Sequence, residues 1–225
     1  MQIIYLVCSL AGGYLLGSLN GSIIFSKTFK GVDIRSAGSK NAGMTNALRV
    51  FGKKAAAFVF LFDLLKAIVA VLAARYVAKL LFGQEPTGTF DVSVMSLYGE
   101  YLAGLGAVLG HNFPIYFHFK GGKGILASWG VIMILDYRIA LILLLVFILV
   151  VCATRYVSLA SITSAIIYPL FVIAFNVGKP NETTIYYIVL SLVVSFLAVY
   201  RHRANIMRLK SGTESKLGEK KTEKE

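Results

Sequence analysis

The chain has 225 residues, of which 57% are hydrophobic and only 15% are charged, and its mean hydropathy is +0.72. A soluble domain of this size would carry about 25% charged residues, so the composition excludes an ordinary soluble domain and indicates an integral membrane protein. The net charge of +12 does not indicate a nucleic-acid partner. Cations concentrate at the inner face of membrane proteins, and no basic stripe with interleaved aromatic residues lies outside the apolar runs.

The apolar stretches predict an all-α integral membrane bundle of seven transmembrane helices. The predicted spans cover residues 3–26, 55–82, 93–113, 121–135, 138–154, 157–177 and 184–200. The first lacks the positive segment of a cleaved signal peptide, so we expect a retained helix. The fourth and fifth are short, because two full spans need about 40 residues. A re-entrant segment is therefore the alternative for one of these two.

The positions of lysine and arginine predict the orientation of the bundle. These residues concentrate at 27–54 and 201–225, whereas the outer connection at 83–92 has none and that at 178–183 has one. Positive segments stay inside, so we expect the N-terminus outside and the C-terminus in the cytoplasm. Residues 1–210 are predicted to form one membrane domain with an active site on its cytoplasmic face. Residues 211–225, rich in lysine and glutamate, are predicted to form a charged, disordered cytoplasmic tail.

A segment rich in glycine and polar neutral residues follows the first span. Gly38 and Gly43 permit tight turns, and Arg49 offers a planar fork for two phosphate oxygens. The polar residues between them are Ser39, Asn41, Thr45 and Asn46. Converging donors of this kind suit a phosphate group. A solvated basic loop is the alternative, but it explains only the cations and not the interleaved polar residues.

A second glycine-rich segment joins the third and fourth spans. Gly121 and Gly122 let the backbone turn tightly between Lys120 and Lys123. A Walker A loop would have Ser or Thr at the position of Gly124, so the motif does not favour an ATPase. Besides a phosphate site, the alternative is a pair of lysines that extend to the membrane surface.

Two weaker segments follow the fifth and last spans. Ser158 comes shortly after an Arg-Tyr pair that would be an ordinary interfacial anchor. If the last helix continues beyond its span, Arg201, Asn205 and Arg208 share one face and His202 neighbours Asn205. A contact with lipid headgroups is the alternative for this basic stretch.

Two charged residues lie within the second predicted span, where charge is costly. Asp63 and Lys66 are three positions apart, so either a structural ion pair or a functional pair fits them. The sequence has no G-x-S-x-G elbow and no His-x4-Asp acyltransferase motif, and no cluster of residues suggests a metal. We therefore expect no metal or cofactor, and a general base from the protein is hard to identify.

In this order, the motifs resemble the bacterial membrane glycerol-3-phosphate acyltransferases that use acyl phosphate as donor. The resemblance covers nearly the whole chain. Its motifs are Gly38 to Arg49, the pair Asp63 and Lys66, Gly110 to Pro114, Lys120 to Gly124, Arg155 to Ser158 and His202 to Arg208. One departure is Lys40, where the family usually has Gly; it adds bulk and a charge beside Ser39.

The resemblance implies a multi-pass protein of the bacterial inner (plasma) membrane that catalyses the first step of phospholipid synthesis. A fatty acyl group would pass from acyl phosphate to the 1-hydroxyl of glycerol 3-phosphate beside membrane lipid. The products would be lysophosphatidic acid and inorganic phosphate, with a substrate phosphate as base. The implied catalytic residues are Ser39, Arg49, Lys123, His202 and Asn205. The implied substrate-binding residues are Gly38, Asn41, Gly43, Thr45, Asn46, Lys120, Gly121, Gly122, Ser158 and Arg208.

A membrane transporter of phosphate or a phosphorylated metabolite is the alternative function, since it would share the cationic glycine-rich loops. It predicts polar residues through the middle of the bilayer and flux across sealed vesicles. The motifs instead gather on one predicted face, which favours the enzyme.

Overall fold

A computed structural model of the chain describes residues 1–83, 92–178 and 183–219. Most of the two predicted outer connections and the end of the tail from residue 220 lie outside this part. Within it all regular structure is helical, which confirms the all-α prediction. The α-helices are α1 (Gln2–Ser18), α2 (Gly21–Lys30), α3 (Met44–Phe51), α4 (Lys53–Phe82), α5 (Val92–Asn112), α6 (Ile125–Leu135), α7 (Tyr137–Thr154), α8 (Val157–Asn176), α9 (Thr184–Arg201) and α10 (Arg203–Lys210).

Six stretches in the described part are long and apolar enough to cross a membrane. They are α1 together with α2, then α4, α5, α7, α8 and α9. The seventh predicted span corresponds to α6, which has only 11 residues. At 1.5 Å per residue it is about 16 Å long, against a hydrocarbon core of about 30 Å. Length and composition therefore support six spans.

The first span is not the single helix that the sequence predicts for residues 3–26. It is interrupted between α1 and α2, where Asn20 adopts an extended backbone conformation. The side-chain oxygen of Asn20 accepts a hydrogen bond from the backbone N–H of Ile23 at 3.1 Å, as N-cap residues do. The break occurs because an asparagine followed by a glycine favours starting a new helix over continuing the old one.

The Asp63–Lys66 pair fills the break from the side. Lys66 Nζ donates to the carbonyl oxygen of Leu19 at 2.6 Å, and Asp63 Oδ1 accepts from the N–H of Gly21 at 3.1 Å. The two charges lie 2.8 Å apart, with side chains 2% and 4% exposed. The pair therefore has a structural task, because it satisfies backbone groups that a helix break leaves without partners.

His111, in the last turn of α5, extends this buried cluster. Its Nδ1 lies 3.1 Å from Lys66 Nζ and 3.6 Å from Asp63 Oδ1. The ammonium group only donates, so Nδ1 accepts and the ring proton belongs on Nε2. The cluster thus ties the α1–α2 break, α4 and the end of α5 together, directly behind the segment that contains the second glycine-rich motif.

Small residues bring α1 and α5 into close contact. A side chain at Gly13 would overlap the backbone of Ala103, and one at Gly17 would overlap that of Ala107. Close packing through small residues is the usual means of holding helices together in lipid, where no hydrophobic effect acts between them. It fixes the end of α5, and with it the start of the second glycine-rich motif.

Candidate functional site

Two of the predicted site segments meet directly, although they are far apart in the sequence. Lys123 lies just before α6 and Asn205 lies in α10. Lys123 Nζ donates to Asn205 Oδ1 at 2.5 Å, and Asn205 Nδ2 in turn donates to Glu214 Oε1 at 2.6 Å. We call the group formed by Lys123, Ser158, Asn205, Arg208 and Glu214 the anion cluster.

Glu214 holds the anion cluster together, and sequence analysis missed it. Its Oε1 also accepts from Ser158 Oγ at 2.7 Å, and its Oε2 accepts from Arg208 Nε at 2.7 Å. Burial opposes ionisation of Glu214, but the hydrogen bonds from these donors outweigh it and lower the pKa of the carboxyl group. No sequence signal distinguishes this glutamate from the others in a segment predicted to be disordered.

The surroundings of Lys123 shift its pKa strongly. Burial lowers its pKa to about 8; Glu214 counteracts this, while Arg208, Arg201 and Arg49 add to it. Lys123 therefore still has its charge at neutral pH. Because Arg49 contributes to this shift, its charge lies near Lys123, although its side chain is exposed at the end of α3.

His202 lies between α9 and α10, where it interrupts the helix that the sequence predicts to continue. Its Nδ1 lies 2.7 Å from the carbonyl oxygen of Ala198. A carbonyl oxygen only accepts, so Nδ1 carries the proton and Nε2 keeps its lone pair. Burial and the charge of Lys123 lower the pKa of His202 to about 4. The ring is therefore neutral at pH 7, and the lone pair of Nε2 can accept a hydrogen bond.

The glycine pair of the second motif is already hydrogen bonded. The N–H of Gly121 donates to the carbonyl oxygen of Asn112 at 3.3 Å, and the N–H of Gly122 donates to the carbonyl oxygen of His111 at 3.0 Å. A side chain at Gly122 would overlap His111 Nε2 and the carbonyl oxygen of Ala42. The glycines therefore allow close packing between the first and second motifs, and their N–H groups serve the fold.

Asn46 holds the shape of residues 33–43, the segment before α3 that we call the first loop. It is buried, and its Oδ1 accepts from the N–H of Ser39 at 2.8 Å. Its Nδ2 donates to the carbonyl oxygens of Ala37 at 3.0 Å, Asn41 at 3.1 Å and Ile34 at 3.3 Å. These bonds occupy its side-chain amide, so Asn46 orients the residues around it.

Two residues of the first loop have left-handed backbones. Gly38 has a φ of +60°, and a side chain there would overlap Asn46 Oδ1. Lys40 has a φ of +58°, a conformation that costs a non-glycine residue roughly 1 kcal/mol or more. The geometry explains why glycine suits the position of Lys40. The lysine side chain is exposed beside Ser39.

The first loop ends at the N-terminus of α3. Gly43 is the N-cap and provides no side-chain cap, so the end of the helix remains available to an anion. Asn41 and Thr45 are partly exposed beside it, and Ser39 and Lys120 are exposed. Within the described residues, no hydrogen bond joins these four side chains to the anion cluster. The same part of the chain has no group of three or more His, Cys, Asp or Glu that could hold a metal.

Comparison with known proteins identifies the family. A family model described as glycerol-3-phosphate acyltransferase matches residues 7–212. A glycerol-3-phosphate acyltransferase from Thermoanaerobacter sp. (strain X514) is 42% identical over 96% of this chain and 98% of its own length. One from Clostridioides difficile (strain 630) is 40% identical over 98% and 100%, respectively.

Solved structures agree with this result. The crystal structure of PlsY (YgiH), an integral membrane glycerol 3-phosphate acyltransferase, in its glycerol 3-phosphate form is 36% identical, covers 96% of each chain and superposes with a TM-score of 0.75. Its lysophosphatidic acid form gives a TM-score of 0.73 with 95% coverage. The chain is therefore a member of the glycerol-3-phosphate acyltransferase family of integral membrane proteins.

Proposed function

We propose that this protein transfers a fatty acyl group from acyl phosphate to the 1-hydroxyl of glycerol 3-phosphate. The observation that carries the proposal is the contact between Lys123 and Asn205 at 2.5 Å, beside Ser158 and Arg208, in a chain of this family. Cationic and neutral donors from two separate segments converge there on the carboxylate of Glu214, an anion whose place the substrate phosphate takes on this proposal. Glycerol 3-phosphate is the substrate that we assign to this cluster.

We propose that the phosphate end of acyl phosphate binds at the first loop. The uncapped N-terminus of α3 at Gly43 offers partial positive charge, and Arg49 adds a full charge at the other end of the same short helix. Ser39 lies exposed with its N–H held by Asn46 at 2.8 Å, so its hydroxyl and the backbone of residues 38–46 can face the reacting carbonyl. Contact between Gly122 and Ala42 keeps this loop next to Lys123.

The reaction follows from positioning and charge. The 1-hydroxyl oxygen attacks the acyl carbonyl carbon, the bond to the phosphate oxygen breaks, and the hydroxyl proton passes to a substrate phosphate. His202, with a pKa of about 4, is a weak base, so we assign it the task of accepting the hydroxyl hydrogen bond and orienting the nucleophile. Acyl phosphate is already activated, so orientation and electrostatic stabilisation supply most of the barrier reduction.

Seven membrane passages with the N-terminus outside fit these contacts. Lys123 precedes α6, Ser158 begins α8 and Asn205 follows α9, and hydrogen bonds through Glu214 bring all three together. The chain therefore leaves this end of the bundle along α6 and returns along α7, which has 18 residues. We infer that α6 completes the seventh passage and that the shared end faces the cytoplasm, where the cationic segments concentrate.

We propose that the membrane domain ends at residue 210 and that the start of the tail packs on it. Residues 1–210 form the membrane domain, and the tail begins after α10. The first part of the tail lies against the bundle: the N–H of Leu217 donates to the carbonyl oxygen of Arg155 at 2.8 Å, and Arg155 Nη2 donates back to Leu217 at 2.9 Å. The part of the chain that contacts the bundle therefore extends to Leu217.

The test uses purified protein in lipid nanodiscs with palmitoyl phosphate and glycerol 3-phosphate. We expect phosphate release and lysophosphatidic acid only when both substrates are present. When palmitoyl-CoA or palmitoyl-acyl carrier protein replaces palmitoyl phosphate as the donor, we expect no product. Lys123→Ala and Arg49→Ala should each reduce kcat/KM by about 10²-fold or more, whereas the exposed Lys54→Ala, at the start of α4, should leave it unchanged.

Two results would contradict the proposal. Phosphate release that does not need glycerol 3-phosphate would leave only a phosphatase. Flux of glycerol 3-phosphate across sealed vesicles without acyl transfer would establish the transporter instead.

A further inference from the structure

The second motif is held on one side by Arg201, at the end of α9. We call residues 117–124 the glycine loop. Arg201 Nε donates to the carbonyl oxygen of Gly122 at 3.0 Å, and its Nη2 donates to Gly121 at 3.0 Å and to Gly122 at 2.8 Å. The guanidinium group also stacks 5.2 Å from the centre of the Phe113 ring. Arg201 is thus fixed in place by one face and binds the loop by its edge.

Arg35, from the first loop, binds the other end of the glycine loop. Its Nη1 donates to the carbonyl oxygens of Phe117 at 2.9 Å and Lys120 at 2.8 Å. Its Nε and Nη2 donate to the carboxylate of Asp33 at 2.9 Å and 2.7 Å. Since both carboxylate oxygens hold the guanidinium in a forked pair, Arg35 is oriented before it reaches the loop.

Together these bonds occupy both sides of the loop backbone. Four carbonyl oxygens, those of residues 117, 120, 121 and 122, accept from the two arginines. The N–H groups of Gly121 and Gly122 donate to the end of α5. The N–H groups of Gly121 and Gly122 are therefore not available to a phosphate. Lys123, the residue that follows this pair, provides the contact with Asn205.

We propose that Arg35 and Arg201 are positioning residues for acyl transfer, which hold the glycine loop so that Lys123 reaches the phosphate of glycerol 3-phosphate. This inference rests on the proposed function. Neither guanidinium needs to touch a substrate. When one is removed, the loop samples other conformations, and the apparent affinity for glycerol 3-phosphate falls in proportion to the fraction of molecules that remain competent. Among the described contacts Lys123 donates to Asn205 and no hydrogen bond joins it to the side chains of Ser39 or Asn41, so we expect acyl phosphate binding at the first loop to depend on Lys123 less.

The test is steady-state kinetics of Arg201→Gln with each substrate varied in turn. We expect the KM for glycerol 3-phosphate to rise about tenfold, with kcat within about threefold and the KM for acyl phosphate within about twofold of wild type. Arg201→Lys should be intermediate, because a lysine cannot reproduce the planar fork. The matched control is Arg203→Gln, which removes the same charge two positions away; Arg203 donates only to the carbonyl oxygen of Tyr200 among the described contacts.

The outcomes separate this inference from the function on which it rests. If wild-type protein makes no lysophosphatidic acid, the proposed function fails. If wild type is active but Arg201→Gln leaves the KM for glycerol 3-phosphate unchanged, or changes both KM values and kcat alike, the inference is overturned. Should Arg201→Gln not fold, Arg201→Lys and Arg35→Gln decide: both must raise the KM for glycerol 3-phosphate selectively.

In the double variant of Arg35 and Arg201, the combined rise in the KM for glycerol 3-phosphate should be smaller than the product of the single effects, because both act on one loop.

Discussion

Lys123 and Asn205 are 82 positions apart in the chain, yet their side chains form a hydrogen bond of 2.5 Å. The amide of Asn205 is oriented by Glu214, to which it donates at 2.6 Å. The lysine is thus aimed by a partner that is itself held in place. These two hydrogen bonds in series explain how a flexible lysine side chain can be preorganised for a phosphate at the end of a membrane bundle.

The charge of Lys123 predicts a pH limit on glycerol 3-phosphate use. Its pKa is lowered to about 8, mainly by burial, and only the protonated form attracts phosphate. We expect kcat/KM for glycerol 3-phosphate to fall above about pH 8, approaching a tenfold loss per pH unit. Lys123→Arg should move this fall to a much higher pH, since arginine stays charged. An identical profile in both proteins would assign the titration to another group.

The lowered pKa of Glu214 predicts that the protein becomes less stable in acid. Its pKa is lowered from 4.5, so its ionised form stabilises the fold above that pH, and this contribution is lost as the pH falls through the folded-state pKa. Glu214→Gln should reduce the free energy of unfolding by about 1–3 kcal/mol at pH 7 and weaken the acid dependence of Tm. Glu219→Gln, at an exposed position in the same segment, is the matched control. Equal Tm values for the two variants would contradict the role given to Glu214.

Close packing at Gly122 predicts sensitivity to a single methyl group. A side chain there would overlap His111 Nε2 and the carbonyl oxygen of Ala42, so Gly122→Ala must shift the loop that precedes Lys123. A displacement of about 1 Å can reduce activity by about 10²-fold, and we expect a loss of kcat/KM of that order. Gly12→Ala, on α1 with nothing within 4 Å of the added carbon, should behave as wild type in the same assay.

The ion pair of Asp63 and Lys66 predicts strong coupling between the two positions. Lys66→Met leaves Asp63 buried without its partner, which should reduce the free energy of unfolding by roughly 3–5 kcal/mol. The double variant of Asp63→Asn and Lys66→Met should lose less than the sum of the two single losses. Thermal unfolding of the detergent-solubilised protein measures this, with the exposed Lys79→Met on the same helix as the control. Additive losses would show that the pair does not act as a unit.

Much of the fold could be predicted because the bilayer fixes the length and polarity of each span. The boundaries predicted for α4, α5, α7, α8 and α9 agree with the structure within about two residues. The break at Asn20 was missed, although asparagine followed by glycine is a local signal for it. The shortness of α6 was visible in the sequence, but its position beside the anion cluster was not.

The sequence predicts most residues of the candidate site, but it predicts the role of each residue only in part. Lys123, Ser158, Asn205 and Arg208 are brought together. For Asn46, Gly121 and Gly122 the structure adds a role that sequence cannot give, because their polar groups are occupied within the loops. Arg35 and Glu214 have no local pattern to identify them.

The amino-acid sequence alone is enough to predict a multi-helix membrane protein with cationic, glycine-rich segments at the ends of its apolar runs. Hydropathy is summed along the chain, so it can be read without knowing any contact. The pairing of donors with acceptors becomes visible only once the helices are packed: Lys123 with Asn205, Ser158 with Glu214, and Arg201 with the glycine loop. A hydrogen bond depends on the distance and angle between two atoms, and for residues this far apart those are set by the packing of whole helices.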